Sequence, residues 1–470
     1  MAERSKISNN FFWLLSAEMS GKLFQFLYIK ILSSVLGPEN FGIFSWAQSN
    51  TAYFLMLITL GLDTFGTREV SRDPDKKSHF TSSILSLRLL LSLLTYLIML
   101  LYIYFLDKSL LTKMTLAASG LMLFANSIML DWVYQGLEKM RIAAIRSFGV
   151  NLLNFLGVWL IITEDSQLVL SIIIIGFSQI LNAAFLIFHF MKFHGPIKIR
   201  IDFQLWKKYL KEALPIGLSM MMIGIFSNSD ILMLGFLREN FEEESALLYA
   251  AVRIVTFFTI PAQLLLKSFF PVLSRTHLDS NRSHRLSQYH LISLTLGLFL
   301  FQFVYFFSSD LILLQFNSEY LEASTLLIVL SPRLFFAYLN MNLSAPLLAW
   351  GYQKQVFYAL TTAAVSNIAL NFVLIPEYGP MGAIISTLIA EGITFVYYYT
   401  LVYKIEKTLF ASNFIKAIMV FVFTALSGFF LIGTLLPAVV SAIFNIFAFV
   451  GLIFIFKVIS LSDIKQMLGR

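Results

Sequence analysis

The stretch ILSLRLLLSLLTYLIMLLYIYFL, Ile84 to Leu106, is apolar almost without interruption and carries a single charge, Arg88. As an α-helix rising about 1.5 Å per residue it is long enough to cross the roughly 30 Å hydrocarbon core of a bilayer. Runs of the same kind recur along the whole chain, separated by short polar joints. A β-barrel would instead show period-two alternation, which is absent here, so the pattern predicts an all-α polytopic bundle. Composition agrees, because 58% of the residues are hydrophobic and only 13% are charged. An ordinary soluble domain carries roughly 25% charged residues.

Working outward from that stretch, the runs predict about 14 transmembrane helices. They begin near Phe11, Phe41, Ile84, Thr112, Ile142, Leu168, Ala213, Leu247, Leu291, Ala323, Val356, Met381, Asn413 and Ala438. The first contains Glu18 and Lys22 and lacks the apolar core and cleavage site of a signal peptide, so it is expected to stay in the mature protein. Lys and Arg concentrate in the joints on the side of the N-terminus, while the opposite joints hold Lys108, Lys113 and Arg238. The positive-inside rule therefore places both termini in the cytoplasm, and the net charge of +7 calls for no nucleic-acid partner.

The longest joint, 191–212, is basic and sets Phe203, Trp206, Leu210 and Leu214 at helical spacing opposite Lys207, Lys208 and Lys211. It reads as an amphipathic helix on the inner leaflet or as a solvated tether. It divides the chain into a six-helix lobe over 1–190, a second over 213–403, and a terminal helix pair with a tail over 404–470. The lobes look related. ILSSVLGPENFG at Ile31 has a counterpart in ILMLGFLRENFE at Ile231, and Gln135-Gly136 before Asn151 and Asn154 is matched by Trp350-Gly351 before Asn367 and Asn371. Two repeats of equal orientation suit a transporter whose lobes rock about a central cavity.

Ionisable groups inside a span cost about 2.5–3.5 kcal/mol on insertion scales and tend to face protein or water. Lys22, Arg253 and Arg333 fall well inside helices, and Lys267 shares a face with Arg253 across a bend at Pro261. They read either as a basic substrate cavity or as structural partners of Glu18, Asp131 or Glu391. Arg88, Arg146 and Lys416 lie near helix ends, where snorkelling to the interface accounts for them. A second group, Asp230, Asn367, Asn371 and Thr387, counts to one depth. Its oxygens suit a coupling cation or proton, or else hydrogen bonds between helices.

All six His count to joints or helix ends, Cys is absent, and there is no phosphate-binding Gly-rich loop with a Lys. The external joints are short, which argues against a polymerase or other enzyme.

Three stretches carry a resemblance: GLDTFGTREVSR at 61–72, YQGLEKMR at 134–141 and NFVLIPEYGPMGAIISTLIAE at 371–391. In these the chain resembles the polysaccharide-transport family of bacterial flippases, within the multidrug/oligosaccharidyl-lipid/polysaccharide exporter superfamily. The resemblance implies a multi-pass protein of the bacterial cytoplasmic membrane. Its implied activity is moving an undecaprenyl-pyrophosphate-linked repeat unit of O-antigen, capsule or exopolysaccharide from the inner to the outer leaflet by alternating access. It implies no metal cofactor and no nucleotide hydrolysis, with coupling to a proton or sodium gradient open. Membrane lipids, a polysaccharide polymerase and chain-length machinery are the implied partners. Arg253 would line the cavity and meet substrate phosphate. Asp230, Asn367, Asn371 and Thr387 fall where some relatives bind sodium, although Asn371 stands where a second acid would strengthen that site. The rival reading is a multidrug/cation antiporter of the same superfamily, which a basic cavity disfavours.

Overall fold

The computed structural model describes residues 2–275, 282–405, 413–432, 437–456 and 458. Among these residues every regular element is helical. Eleven helices are long and apolar enough to cross a membrane, and Phe414–Phe430 adds a shorter apolar one. The all-α polytopic class therefore stands. The expected count of about 14 is not reached by this measure. The first two expected spans run together as α1 (Ala2–Thr59), broken at Gly37, where φ is +69° and Pro38 follows. Only glycine takes such a conformation without strain, and proline then restarts the helix.

The chain divides into two compact units. The first comprises 1–235 with 240–246, and the second 236–239 with 247–470. In the first unit α1 is followed by α2 (Leu62–Arg72), α3 (Lys77–Phe105), α4 (Leu110–Ser119), α5 (Leu121–Ser127), α6 (Asp131–Gly136), α7 (Met140–Ile161), α8 (Leu168–Phe193) and α9 (Phe203–Leu237). Leu60 and Gly61, both at positive φ, turn the chain between α1 and α2. That turn packs backbone to backbone against α9. A Cβ on Gly61 would come 2.4 Å from the Ala213 carbonyl oxygen, and one on Gly217 would come 2.4 Å from the Leu60 carbonyl carbon.

The joint expected as an amphipathic helix on the inner leaflet, or else as a solvated tether, takes two forms. Its second half is the start of α9, whose Trp206, Tyr209 and Ala213 are buried in a core with Leu62, Phe65, Trp132, Tyr134 and Phe190. Phe203 and Leu214 are exposed. Its first half, 195–202, is a strap without helix or strand. The Lys198 and Arg200 N–H groups donate to Ser82 Oγ (3.0 Å) and Ser86 Oγ (2.9 Å) on α3, and Ser78 Oγ donates to the His194 carbonyl (3.2 Å). Residues four apart on a helix are spaced about 6 Å, close to residues two apart on an extended chain, and this match sets the register.

The second unit contains α10 (Phe241–Phe258, from Leu247 on), α11 (Ile260–Arg275), α12 (Arg282–Phe306), α13 (Ser308–Gln315), α14 (Ala323–Leu330), α15 (Pro332–Ala349), α16 (Gln353–Tyr378), α17 (Pro380–Ile405), α18 (Asn413–Ile432) and α19 (Ala438–Ile455). Its core gathers Leu273, Tyr289, Leu343, Trp350, Tyr398 and Val402. The terminal pair is tied by Asn445, whose Nδ2 donates to the Thr424 carbonyl (3.0 Å) and to Ser427 Oγ (2.8 Å).

The internal repeat has structural counterparts. A break at Leu60–Gly61 in the first unit corresponds to one at Thr259 in the second. The helix ends before α7 and α16 share one hydrogen-bond pattern. Leu137 N–H bonds to Val133 O, Glu138 to Gln135 and Lys139 to Tyr134, while Trp350 bonds to Pro346, Gly351 to Leu348 and Tyr352 to Leu347. The residue held left-handed is Glu138 (φ +56°) in one and Gly351 (φ +88°) in the other. Both are Schellman-type helix ends.

Candidate functional site

In the first unit the structure builds a network of charges on residues that the sequence had placed at helix ends. Arg88 does not snorkel. It is 1% exposed, its Nη1 lies 2.6 Å from Asp63 Oδ1, and its Nη2 donates to the Asn126 carbonyl (2.6 Å) and Oδ1 (2.8 Å). Asp63 follows the Gly61 turn, so the break that bends the chain also delivers the carboxylate. Arg146 turns inward likewise, its Nε 2.9 Å from Asp131 Oδ1. The Asn182 amide, in its better-satisfied orientation, accepts from the same guanidinium at 2.5 Å. Asp131 lies within electrostatic reach of Asp63 and Arg88. A buried cation, Arg88, and a half-buried one, Arg146, are thus held by two carboxylates whose side chains are 43% and 28% exposed. Asp131, expected as a partner for Lys22, Arg253 or Arg333, has Arg146 instead. Asp63 was legible in GLDTFGTRE, but a half-polar stretch after an apolar run reads first as a joint. Lys22 is half-buried in α1 of this unit. The side chain of Glu18, proposed as its neighbour, lies outside those described.

In the second unit Arg333 and Glu391 come together, with Nε 3.5 Å from Oε1. Glu391 is also held by Asn340, whose Nδ2 donates to Oε2 (2.7 Å) and to the Glu391 backbone carbonyl (3.1 Å). Of the structural pairings read from sequence, this one is therefore present. Arg253 is half-buried on α10 and Lys267 exposed on α11. They lie on successive helices with the break at Thr259 between them, and Pro261 is the second residue of the second helix. Sequence counting also missed His290, which is 2% exposed within α12. Its Nδ1 is bonded to Asn342 Oδ1, and Asn342 Nδ2 donates to the Tyr289 carbonyl (3.1 Å). An imidazole in the third turn of a helix is a core residue when a neighbouring helix supplies an amide.

Asn367, Asn371 and Thr387 are buried together between α16 and α17. Asn371 Nδ2 donates to Asn367 Oδ1 (3.3 Å), and Asn367 Nδ2 donates to Thr387 Oγ1 (3.2 Å). These bonds tie the two helices together. Asp230 belongs to the first unit, where it acts electrostatically on Tyr53, whose hydroxyl donates to the Ile225 carbonyl (3.2 Å). Among the described residues no group of three or more His, Cys, Asp or Glu is arranged to hold a metal ion.

The fold defines a polytopic α-helical membrane protein with the architecture of two transporter groups. It matches the lipid II flippase MurJ in an inward-closed conformation with TM-score 0.73 and 19% identity, covering 97% of this chain and 99% of the other. It also matches an inward-facing multidrug resistance MATE transporter of the MOP superfamily, with TM-score 0.65, 15% identity and coverage of 84% and 99%. Residues 7–277 match the family of polysaccharide biosynthesis proteins, and the chain belongs to that family. A protein of Escherichia coli strain K12 named as an O-antigen transporter is 23% identical over 82% of this chain and 94% of its own length. The capsular polysaccharide biosynthesis protein CapF of Staphylococcus aureus is 22% identical, over 83% and 98%.

Proposed function

We propose that this chain is a flippase carrying an undecaprenyl-pyrophosphate-linked oligosaccharide repeat unit from the inner to the outer leaflet of the bacterial cytoplasmic membrane. The observation that carries the reading is the fold match to a lipid II flippase along nearly the whole of both chains. The match to the MATE transporter covers less of this chain. Family membership and relatives named for O-antigen and capsule support the glycan as cargo.

The chemistry fits. Sugar hydroxyls and two phosphates cannot cross hydrocarbon unaided, since each polar group moved there without a partner costs several kcal/mol. A protein path must offer cations, which bind phosphate oxygens without a covalent step. Arg253 and Lys267, set in apolar helices, are the residues assigned to the pyrophosphate. Lys22 is assigned the same task in the first unit, and Arg333 acts through Glu391. Both termini are assigned to the cytoplasm. Transport is driven by a proton or sodium gradient or by downhill exchange, with Asp230 as the titratable group; the Asn367–Asn371–Thr387 chain is a structural tie between α16 and α17. A polymerase and chain-length machinery would consume the product.

The test is deletion of the gene in its own bacterium, with analysis of surface glycan and undecaprenyl-linked intermediates and with the plasmid-borne gene as control. Loss of surface polymer with single repeat units held on the inner leaflet is expected. Unchanged glycan with altered sensitivity to cationic drugs would move the assignment to antiport.

A further inference from the structure

The strap over 195–202 has a surface that the transport reading does not use. It lies outside the candidate spans, between Asp165–Phe193 and Phe203–Leu237. Ile199 (79%), Ile201 (69%) and Phe203 (71%) are nonetheless among the most exposed large apolar residues of the chain. They alternate with Lys198 and Arg200, both exposed. The alternation is not free to slip, because Ser82 and Ser86 pin the N–H groups of residues 198 and 200. A row of apolar side chains is therefore fixed at one level beside a row of cations.

A second observation points to an anion. At the start of the strap Lys139 Nζ lies 3.4 Å from His194 Nε2. Burial, with Lys139, His189 and Lys77 behind it, pushes the His194 imidazole down to about 4, so positive charge is crowded here. Asp202 lies 3.9 Å from Arg200, and Arg200 Nη1 meets His79 Nδ1 at 2.8 Å.

We infer that the strap is a docking site for anionic phospholipid headgroups. Lys198 and Arg200 take headgroup phosphates, while Ile199, Ile201 and Phe203 enter the first layer of acyl carbons. The arrangement combines the two terms that hold a segment at a membrane surface, apolar burial and attraction to anionic lipid. A bare phosphate site would need no exposed isoleucines, and an apolar contact with a second protein would not set them among cations.

The test uses the full chain in nanodiscs of phosphatidylcholine alone or with phosphatidylglycerol, reading the thermal midpoint and, by native mass spectrometry, the number of phosphatidylglycerol molecules retained. The wild type is expected to gain midpoint and retained lipid with phosphatidylglycerol, and to lose the gain in high salt. Lys198→Gln with Arg200→Gln should keep the phosphatidylcholine midpoint and lose the phosphatidylglycerol gain. Ile199→Ser with Ile201→Ser should lower lipid retention while leaving all the cations in place. An undiminished gain in the Gln variant overturns the inference. So does a gain from inorganic pyrophosphate added to phosphatidylcholine nanodiscs that the Lys198→Gln, Arg200→Gln variant loses, which would make the strap a soluble-anion site.

Discussion

Arg88 shows how far a single residue's role depends on what the fold brings to it. Its guanidinium is buried while Asp63 keeps contact with water, so the two halves of the pair are unequal. Removing Asp63 strands a buried cation, whereas removing Arg88 returns a carboxylate to solvent. Asp63→Ala is therefore expected to cost about 3 kcal/mol, the scale for breaking a buried pair, and Arg88→Met markedly less. Unfolding of the two variants in detergent checks this, and equal losses would refute it. For transport the decisive residue is Arg253. Arg253→Ala should abolish surface polysaccharide at normal protein levels and Arg253→Lys should retain part of it, because phosphate binding needs the charge more than the guanidinium's shape. Wild-type polymer from the Ala variant would remove Arg253 from the mechanism. His194 gives a pH dependence. Its folded value of about 4 lies below the unfolded value of 6.5, so the unfolded chain binds more protons between those limits. Its contribution to stability is complete above about pH 6.5 and is lost as the pH falls toward 4. His194→Phe should flatten that acid-side slope in a melting series.

Among the elements, the matched helix ends before α7 and α16 are the most informative, because one geometry is filled by different residues. Glu138 takes a left-handed conformation that costs a side-chain-bearing residue roughly 1 kcal/mol, and Gly351 takes it freely. Glu138→Gly should therefore stabilise the first unit slightly, and Gly351→Ala should destabilise the second by about 1 kcal/mol. Opposite shifts in melting midpoint are the expected result. The sequence matched Gly136 with Gly351, whereas the structure sets Glu138 opposite Gly351, so the repeat was legible but the residue that takes the left-handed turn was not. Asp63–Arg88 was not legible either, because the partners lie far apart in sequence and only packing decides that a charge near a helix end turns inward. The same holds for Trp206 and Tyr209. Helical periodicity identifies an amphipathic face but does not say whether protein or lipid covers it.

For the whole molecule, apolar run length gave the all-α membrane class and the family likeness gave its relatives, because both depend on composition and local pattern. The division between the units depends on contacts between distant segments. By sequence the basic joint at 191–212 parts the lobes, whereas the contacts group α9 with the first unit as far as Gly235. The strap precedes α9, and α9 holds its place through Trp206, Tyr209 and the Gly217–Leu60 contact, which do not require an intact chain at 195–202. A gene split within the strap should therefore yield two polypeptides that reassemble when co-expressed, with surface polysaccharide restored. Chimaeras between relatives should tolerate exchange at 236–239 better than at 191–212, where a foreign α9 would meet a turn shaped for two particular glycines.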